Sequence, residues 1–271
     1  MKKAILLLMT IVLASCKSSQ QLPDTLGDQK NAVSFGYQPI DPLPVDLYIG
    51  SEDKLKAFER DNVTNKKIMS TLPDETMRLA IGKIDSKGNT SFASAKIGYA
   101  GSSYIVILDY IKFDTKSLSL EVAKDSLDNI IDFRIPLKYD ESNFVVPVYV
   151  GVGLRFTATI QVNEGSVDLG NLFALGLAAE SKKVTGTLLI QTLGVSGKDI
   201  SSLIPMPSQI NTTTIQNAIM SLSSIKAKMY EDDSELNPRI VGFYNNIGGG
   251  QNTAQKLISS VMSQRLKHKI E

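Results

Sequence analysis

The chain has few side chains that could act as nucleophiles, general bases or soft metal ligands. Its 271 residues include one histidine, His268, and one cysteine, Cys16. A serine or cysteine nucleophile that relies on a histidine base would have to use His268. One histidine and one cysteine are too few for most metal sites built from those ligands, and a lone cysteine cannot form a disulfide within the chain. We therefore expect neither a histidine-dependent nucleophile nor a bound metal.

Other arrangements that could support catalysis are incomplete. Ser-x-x-Lys occurs at 51–54 and 223–226 without the Lys-Thr-Gly of a penicillin-binding serine site. The acidic run 231–235 lacks the glycine and alternating oxygen ligands of a calcium loop, and 248–250 lacks the lysine of a phosphate-binding loop. The pattern predicts no cofactor and favours a protein that is not an enzyme. A hydrolase acting through two carboxylates stays open, because spacing along the chain cannot pair 28 acidic residues in space.

The charge balance argues against a nucleic acid partner. The chain has 29 Lys and Arg against 28 Asp and Glu, a net charge of +1. A surface that binds nucleic acid needs a basic excess to neutralise phosphates. A composition that is 42% hydrophobic and 21% charged is typical of a folded globular chain rather than a disordered one.

The first sixteen residues carry the most specific motif in the sequence. Lys2 and Lys3 precede an apolar run at 4–12, which is too short to span a bilayer as a helix. The run ends in Leu-Ala-Ser-Cys at 13–16. This segment resembles a bacterial lipoprotein signal peptide with its lipobox. The resemblance implies that Cys16 becomes the first mature residue and carries diacylglycerol on its thiol and an acyl chain on its amine, which together give stable membrane anchoring.

The lipobox predicts how the rest of the chain is organised. Residues 1–15 are the expected signal peptide, and 16–44 the lipidated cysteine with a flexible tether that holds four of the ten prolines. Residues 45–271 are expected to form one globular domain, with a possible internal boundary near 140–143. Lys17, in place of an aspartate, favours the outer membrane, and the absence of an acidic run after it favours the periplasmic face.

Hydrophobic alternation predicts a β-rich body. A strand at 77–82, a turn at 85–89 and a return strand at 91–99 have the pattern of a hairpin. The run 104–113 is apolar on both faces, which is typical of a central strand. Further strands are predicted at 118–123, 130–137, 184–193 and 239–244.

The clearest periodic signal lies at 146–162. All nine even-numbered positions are apolar, whereas the odd positions include Arg155 and two threonines. The alternation predicts one long strand with its even face on the core and its odd face in water. Because most strands are shorter, we expect it to bend or break near Pro147, Gly151 or Gly153.

Helical patterns are concentrated towards the C-terminus. Short helices are predicted at 51–60 and 172–179. Thr213 and Gln216 have the spacing of a capping box before an apolar stripe that runs to Met229. A closing amphipathic helix is predicted at 253–270, with 267–269 at the negative end of its dipole. The order of elements predicts an α+β fold: a mainly antiparallel β-sheet with C-terminal amphipathic helices packed on it.

These observations predict a lipoprotein that is held in the membrane through Cys16 and has a non-catalytic binding or assembly role. Its partners would be the membrane and another protein of the envelope. Two alternatives stay open: a carrier of an apolar or lipid ligand, and a subunit of an oligomeric secretion or pore complex.

Overall fold

The structure, a computed structural model, describes residues 36–49, 56–57, 63–92, 97–127, 130–136, 143–175, 178–231, 233–247, 250–262 and 266–270. The signal peptide, Cys16 and Ser51–Lys54 of the first Ser-x-x-Lys lie outside these ranges. Within them, no helix is long and apolar enough to cross a membrane.

Strands dominate the described residues. They are β1 (Tyr37–Ile49), β2 (Lys56–Ala57), β3 (Asp74–Ile84), β4 (Thr90–Phe92), β5 (Ile97–Tyr99), β6 (Ser103–Lys124), β7 (Ile130–Arg134), β8 (Phe144–Val162), β9 (Ser166–Asp168), β10 (Val184–Leu193), β11 (Val195–Ser196), β12 (Ser208–Gln209), β13 (Glu235–Leu236), β14 (Arg239–Tyr244) and β15 (Leu266–Lys269). The helices are α1 (Asn65–Ser70), α2 (Leu169–Leu175), α3 (Ala178–Ser181), α4 (Lys198–Leu203), α5 (Thr212–Lys228) and α6 (Gly250–Leu257), and a π-helical turn at Ile258–Met262 follows α6.

One large sheet organises the fold. Its main path runs β15–β1–β14–β8–β6–β3–β4, and β10 with β12, β2 and β7 extend it from β8, β1 and β6. Among the described strands every pairing of this sheet is antiparallel except that of β1 with β15. The prediction of a mainly antiparallel sheet is confirmed.

Two long strands form the centre of the sheet. β6 and β8 pair without a register shift from Ser103 opposite Gln161 to Leu120 opposite Phe144. The strands predicted at 104–113 and 118–123 are therefore one strand, and the break predicted near Pro147, Gly151 or Gly153 is absent from this ladder. The alternation continues across these residues on both strands, so the pairing has no reason to stop.

The sheet is curled rather than flat. The Tyr37 hydroxyl of β1 donates a hydrogen bond to Asp109 of β6, although β14 and β8 lie between these strands. Three strand spacings would separate them by about 14 Å in a flat sheet, which is more than the two side chains can span. β1 also comes within contact distance of β3, at the far side of β6.

The curl gives the sheet two buried faces near its middle. All nine even positions of β8 from Val146 to Val162 are buried, as predicted. The odd face was predicted to lie in water, but Tyr149, Gly151, Gly153 and Arg155 are buried as well. That prediction is wrong over this stretch because the curl brings β1 and β14 over the odd face, where Arg155 donates to the Ile40 and Val241 carbonyls. Thr159, further along, remains exposed.

Helix α5 forms where its apolar stripe predicted it. Ile215, Ala218, Leu222 and Ile225 are buried in one cluster with the even face of β8. The cap differs from the prediction: the Asn211 side chain accepts from the Thr214 amide at 3.0 Å, and Thr214 bonds back to the Asn211 amide at 2.9 Å. This capping box begins two residues before the predicted one because Asn is an equally strong N-cap.

The C-terminal prediction is only partly correct. A helix begins at Gly250 and passes into the π-helical turn, but 266–269 form strand β15, not the last turn of a helix. Leu266 and His268 point towards the interior while Lys267 is exposed, which is the period of two that a strand requires. The exposed edge of β1 supplies the hydrogen-bond partners for this strand.

Three other predicted boundaries also change. The predicted tether extended to 44, yet β1 begins at Tyr37. Its prolines are tolerated because its pairing with β14 is irregular between Pro39 and Leu43. Lys56–Ala57 is a strand rather than part of the helix predicted at 51–60, whose other residues lie outside the described ranges. The predicted hairpin is confirmed for β3 and β4, but β5 pairs with β9 instead.

Candidate functional site

The second Ser-x-x-Lys does not form a catalytic pair. Lys226 Nζ lies 2.5 Å from the Glu75 carboxylate and 4.7 Å from the centre of the Tyr110 ring. The Ser223 hydroxyl donates instead to the Ile219 carbonyl at 3.3 Å. The hydrogen bond from Lys226 lowers the pKa of Glu75. The two side chains of this motif are thus each bonded to a different partner.

Two carboxylates of the acidic run after α5 lie close to one lysine. Lys228 Nζ lies 2.5 Å from the Glu231 carboxylate and 3.8 Å from that of Asp233. Among the described residues, no group of three His, Cys, Asp or Glu side chains is arranged to hold a metal ion.

A row of charged side chains crosses the curled sheet on the face that carries the odd-numbered residues of β8, here called the odd face of the sheet. Arg78 of β3 lies opposite Asp109 of β6, and Asp109 lies opposite Arg155 of β8. The strand registers alone therefore place one guanidinium group on each side of the Asp109 carboxylate. The side chains of Asp109 and Arg155 are 0% and 4% exposed, so their pairing is shielded from water.

Arg155 satisfies both oxygens of Asp109. Its Nε and Nη2 each donate to the carboxylate at 2.7 Å, which is a bidentate pair. Nη1 donates to the Ile40 carbonyl at 2.6 Å, and Nη2 also reaches the Val241 carbonyl at 3.0 Å. Burial alone would lower the pKa of Arg155, but Asp109 raises it, so the guanidinium stays charged. The pair joins β1, β14, β6 and β8.

Tyr37 completes this buried network. Its hydroxyl donates to the same Asp109 oxygen that accepts from Arg155 Nη2. Burial, and then the negative charge of Asp109, raises the pKa of Tyr37 well above its usual value. A phenol held in this way keeps its proton, so Tyr37 acts as a fixed donor and not as a base.

Arg78, the third member of the row, is differently placed. Its guanidinium carbon lies 5.6 Å from the centre of the Tyr149 ring, which is a cation–π contact. Tyr149 packs in turn against Phe113 and Tyr37, with ring centres 5.0 and 5.8 Å away. Burial raises the pKa of Tyr149, while the charge of Arg78 opposes that rise.

His268 lies on the opposite face of the sheet and is 1% exposed. Its Nε2 lies 3.1 Å from the Thr71 hydroxyl, and its Nδ1 lies 3.7 Å from Asp114, whose carboxylate is 2.5 Å from Lys116. Burial, then the charge of Lys116, lowers the pKa of His268 to about 4, although Asp114 opposes the change. The imidazole is therefore neutral at pH 7 and fixes β15 against α1 and β6.

These arrangements stabilise the fold and do not assemble a reaction centre. The buried carboxylate accepts hydrogen bonds from fixed donors, and the histidine has no nucleophile beside it among the described residues except the Thr71 hydroxyl, which already donates to the Ile68 carbonyl at 2.7 Å. Arg78 and the neighbouring part of the odd face are the described features best suited to contact a ligand.

The sequence contained a signal for the charged row that our sequence analysis missed. Asp109 interrupts an apolar run that was predicted to be buried on both faces, and Arg155 is the one charged residue on the odd face of 146–162. A charge inside a central strand must be paired. That rule predicts a partner for Asp109, although not which of the 29 basic residues supplies it.

Comparison with known proteins gives no relative from which a role could be transferred. No family model matches the chain, and neither a curated protein nor a solved structure does so. The functional argument therefore depends on the sequence and the geometry.

Proposed function

We propose that this protein is a lipoprotein of the bacterial cell envelope, anchored through Cys16 at the periplasmic face of the outer membrane. The observation that carries this proposal is the lipobox at 13–16 after a basic and apolar segment of signal-peptide length. Cys16 is the one cysteine of the chain and falls at the position that the motif requires. The two lipid-bearing groups of that residue would give stable rather than marginal membrane binding.

The role of the folded part is binding or assembly rather than catalysis. Support comes from how the charged groups are used. Asp109 and Arg155 are hydrogen-bonded to each other, Lys226 forms an ion pair with Glu75, and His268 is buried near the C-terminus. General acid–base chemistry needs a titratable group in reach of substrate, with a pKa near the working pH.

The exposed part of the odd face, on β8 and β10, offers a surface for such a role. Thr159, Thr187 and Leu189 of β8 and β10 are exposed there, and Thr157 is partly so. They share the odd face because Thr159 pairs with Thr187, and Thr157 with Leu189. Hydroxyl groups beside an apolar side chain can contact a partner through both hydrogen bonds and apolar area.

We also propose that α5 and α6 are the C-terminal amphipathic helices of this fold, packed on the even face. Leu222 and Ile225 of α5 belong to one buried cluster with Leu154 of β8. Leu257 of α6 belongs to a second with Val148. Both helices would then be part of the folded body and would leave the exposed part of the odd face, on β8 and β10, free for a partner.

The anchoring proposal is tested by replacing the lipidated residue. We expect Cys16→Ser to abolish metabolic labelling with palmitate and to move the protein out of the membrane fraction of its bacterial host. Ser18→Ala is the matched control, because it changes a neighbouring small polar residue and leaves the lipobox intact. Palmitate labelling that persists in Cys16→Ser would refute the proposal, as would membrane retention equal to that of Ser18→Ala.

A further inference from the structure

Arg78 is a partly buried cation at one end of the charged row. Its Nε is buried and has no hydrogen-bond partner among the described residues. Arginine carries five N–H donors and cannot lose its charge in a protein. A buried donor without an acceptor destabilises the folded protein. The stability of the sheet therefore does not account for an arginine at position 78.

The carboxylate opposite Arg78 in the ladder is not available to it. Asp109 lies directly opposite Arg78 in the β3–β6 ladder, at the position where a cross-strand ion pair would form. Both Asp109 oxygens accept from Arg155, and one also accepts from Tyr37. The single negative charge of the row is thus committed to Arg155, and the row carries one uncompensated positive charge at Arg78.

The surroundings of Arg78 hold it in place without neutralising it. The Tyr149 ring lies 5.6 Å from the guanidinium carbon, and the stack of Tyr149 on Phe113 orients that ring. An aromatic ring stabilises a cation weakly but leaves the in-plane N–H groups of a guanidinium free. A planar guanidinium with oriented donors matches the geometry of a carboxylate or phosphate group, which accept through two oxygens.

We propose that Arg78 is an anion-binding site that takes an oxyanion, the carboxylate or phosphate group of a ligand, through its terminal nitrogens. This site does not depend on lipidation of Cys16, so its failure would leave the anchoring proposal intact.

The test follows the Arg78 guanidinium group through the NMR signal of its Nε–H. The side-chain ¹H–¹⁵N signal of Arg78 Nε would be followed by NMR in the folded Cys16→Ser protein, titrated separately with sodium acetate and with inorganic phosphate against sodium chloride of equal ionic strength. Two other arginines are internal controls: Arg155 Nε is sealed against Asp109 at 2.7 Å, and the Arg134 side chain is 72% exposed. We expect a saturable shift of the Arg78 signal while those of Arg155 and Arg134 stay unchanged or drift linearly.

The two titrations distinguish the sources of the oxyanion. Saturation by acetate alone assigns a carboxylate ligand, saturation by phosphate alone assigns a phosphate, and saturation by both assigns a general oxyanion site. An Arg78 signal that moves no more than that of Arg134 in either titration overturns the proposal, and the contact with Tyr149 would then be the whole role of Arg78.

A variant provides a second readout that does not require the Nε signal. The anion that saturates Arg78 should raise the melting temperature of the protein, because it binds the folded state. Arg78→Gln removes the charge, and Arg78→Lys keeps the charge but loses the forked donors. We expect binding to weaken about tenfold or more in Arg78→Gln and by an intermediate factor in Arg78→Lys. Equal anion-dependent shifts in melting temperature for all three proteins would also overturn the proposal.

Discussion

Replacing Asp109 with asparagine tests the buried network most sharply. The substitution keeps the size of the side chain but removes the charge that holds Arg155. Arg155 would remain 4% exposed with two backbone carbonyls as its other acceptors. Leaving one partner of a buried ion pair uncompensated costs about 3–5 kcal/mol, a large part of the 5–15 kcal/mol typical of a whole domain.

A matched pair at the surface provides the control. Glu75 and Lys226 also join distant segments, but their side chains are 34% and 42% exposed. Glu75→Gln should therefore cost less than about 1 kcal/mol. The double variant Asp109→Leu with Arg155→Met should be more stable than Asp109→Asn, because it leaves no unpaired charge in the interior.

The assay is equilibrium unfolding in urea at pH 7, followed by circular dichroism. The linear extrapolation gives the free energy of unfolding of each variant, and similar slopes would indicate that each unfolds from a similar native state. If Asp109→Asn loses no more stability than Glu75→Gln, the pair is not shielded from water and the sheet does not curl over it as described.

Three further comparisons test other parts of the fold. Gly153→Ala should be destabilised by several kcal/mol, because a Cβ at 153 would overlap the Tyr110 carbonyl oxygen. Gly88→Ala should lose much less, because 88 lies in an open turn whose positive φ adds only modest strain. Equal melting temperatures of the two variants would contradict the close approach of β6 and β8. Phe156→Asp should lower the free energy of unfolding by several kcal/mol and Thr157→Asp by about 1 kcal/mol, since Phe156 is 3% exposed and Thr157 is only partly buried. Equal losses of stability in urea would mean that both positions are buried. The pKa of His268 is lowered to about 4 from its usual 6.5. Its contribution to stability is therefore present above pH 6.5 and is lost, by about 3 kcal/mol, as the pH falls towards 4. His268→Gln should flatten the pH dependence of unfolding in that window, and an unchanged profile would refute the assignment.

Local patterns predicted much of the sheet. β10 and β14 begin and end at the predicted residues, and the nine apolar even positions of β8 are all buried. Alternation of this kind depends on neighbouring residues alone, so the sequence is sufficient to predict it. The turn at 85–89 is predictable for the same reason: the Asp85 carboxylate accepts from the Lys87 and Asn89 amides at 2.8 Å.

Features that depend on distant residues were not predictable in this way. Residues 266–269 fit a helical stripe and a strand equally well, and the free edge of β1, more than 200 positions away, decides between them. The curl of the sheet buries the odd face of β8, and it arises from the packing of β1 and β14 over that face rather than from the sequence of β8. The Asp109–Arg155 pair was missed for this reason, since its partners are brought together only by strand register.

The central claim, that the mature protein is anchored by lipid on Cys16, is tested most directly by the intact mass of the protein extracted from membranes in detergent. The account predicts a chain that begins at Cys16, with a mass increase equal to a diacylglyceryl group and one further acyl chain. A chain that retains residues 1–15, or one cleaved elsewhere with no lipid on Cys16, would contradict it.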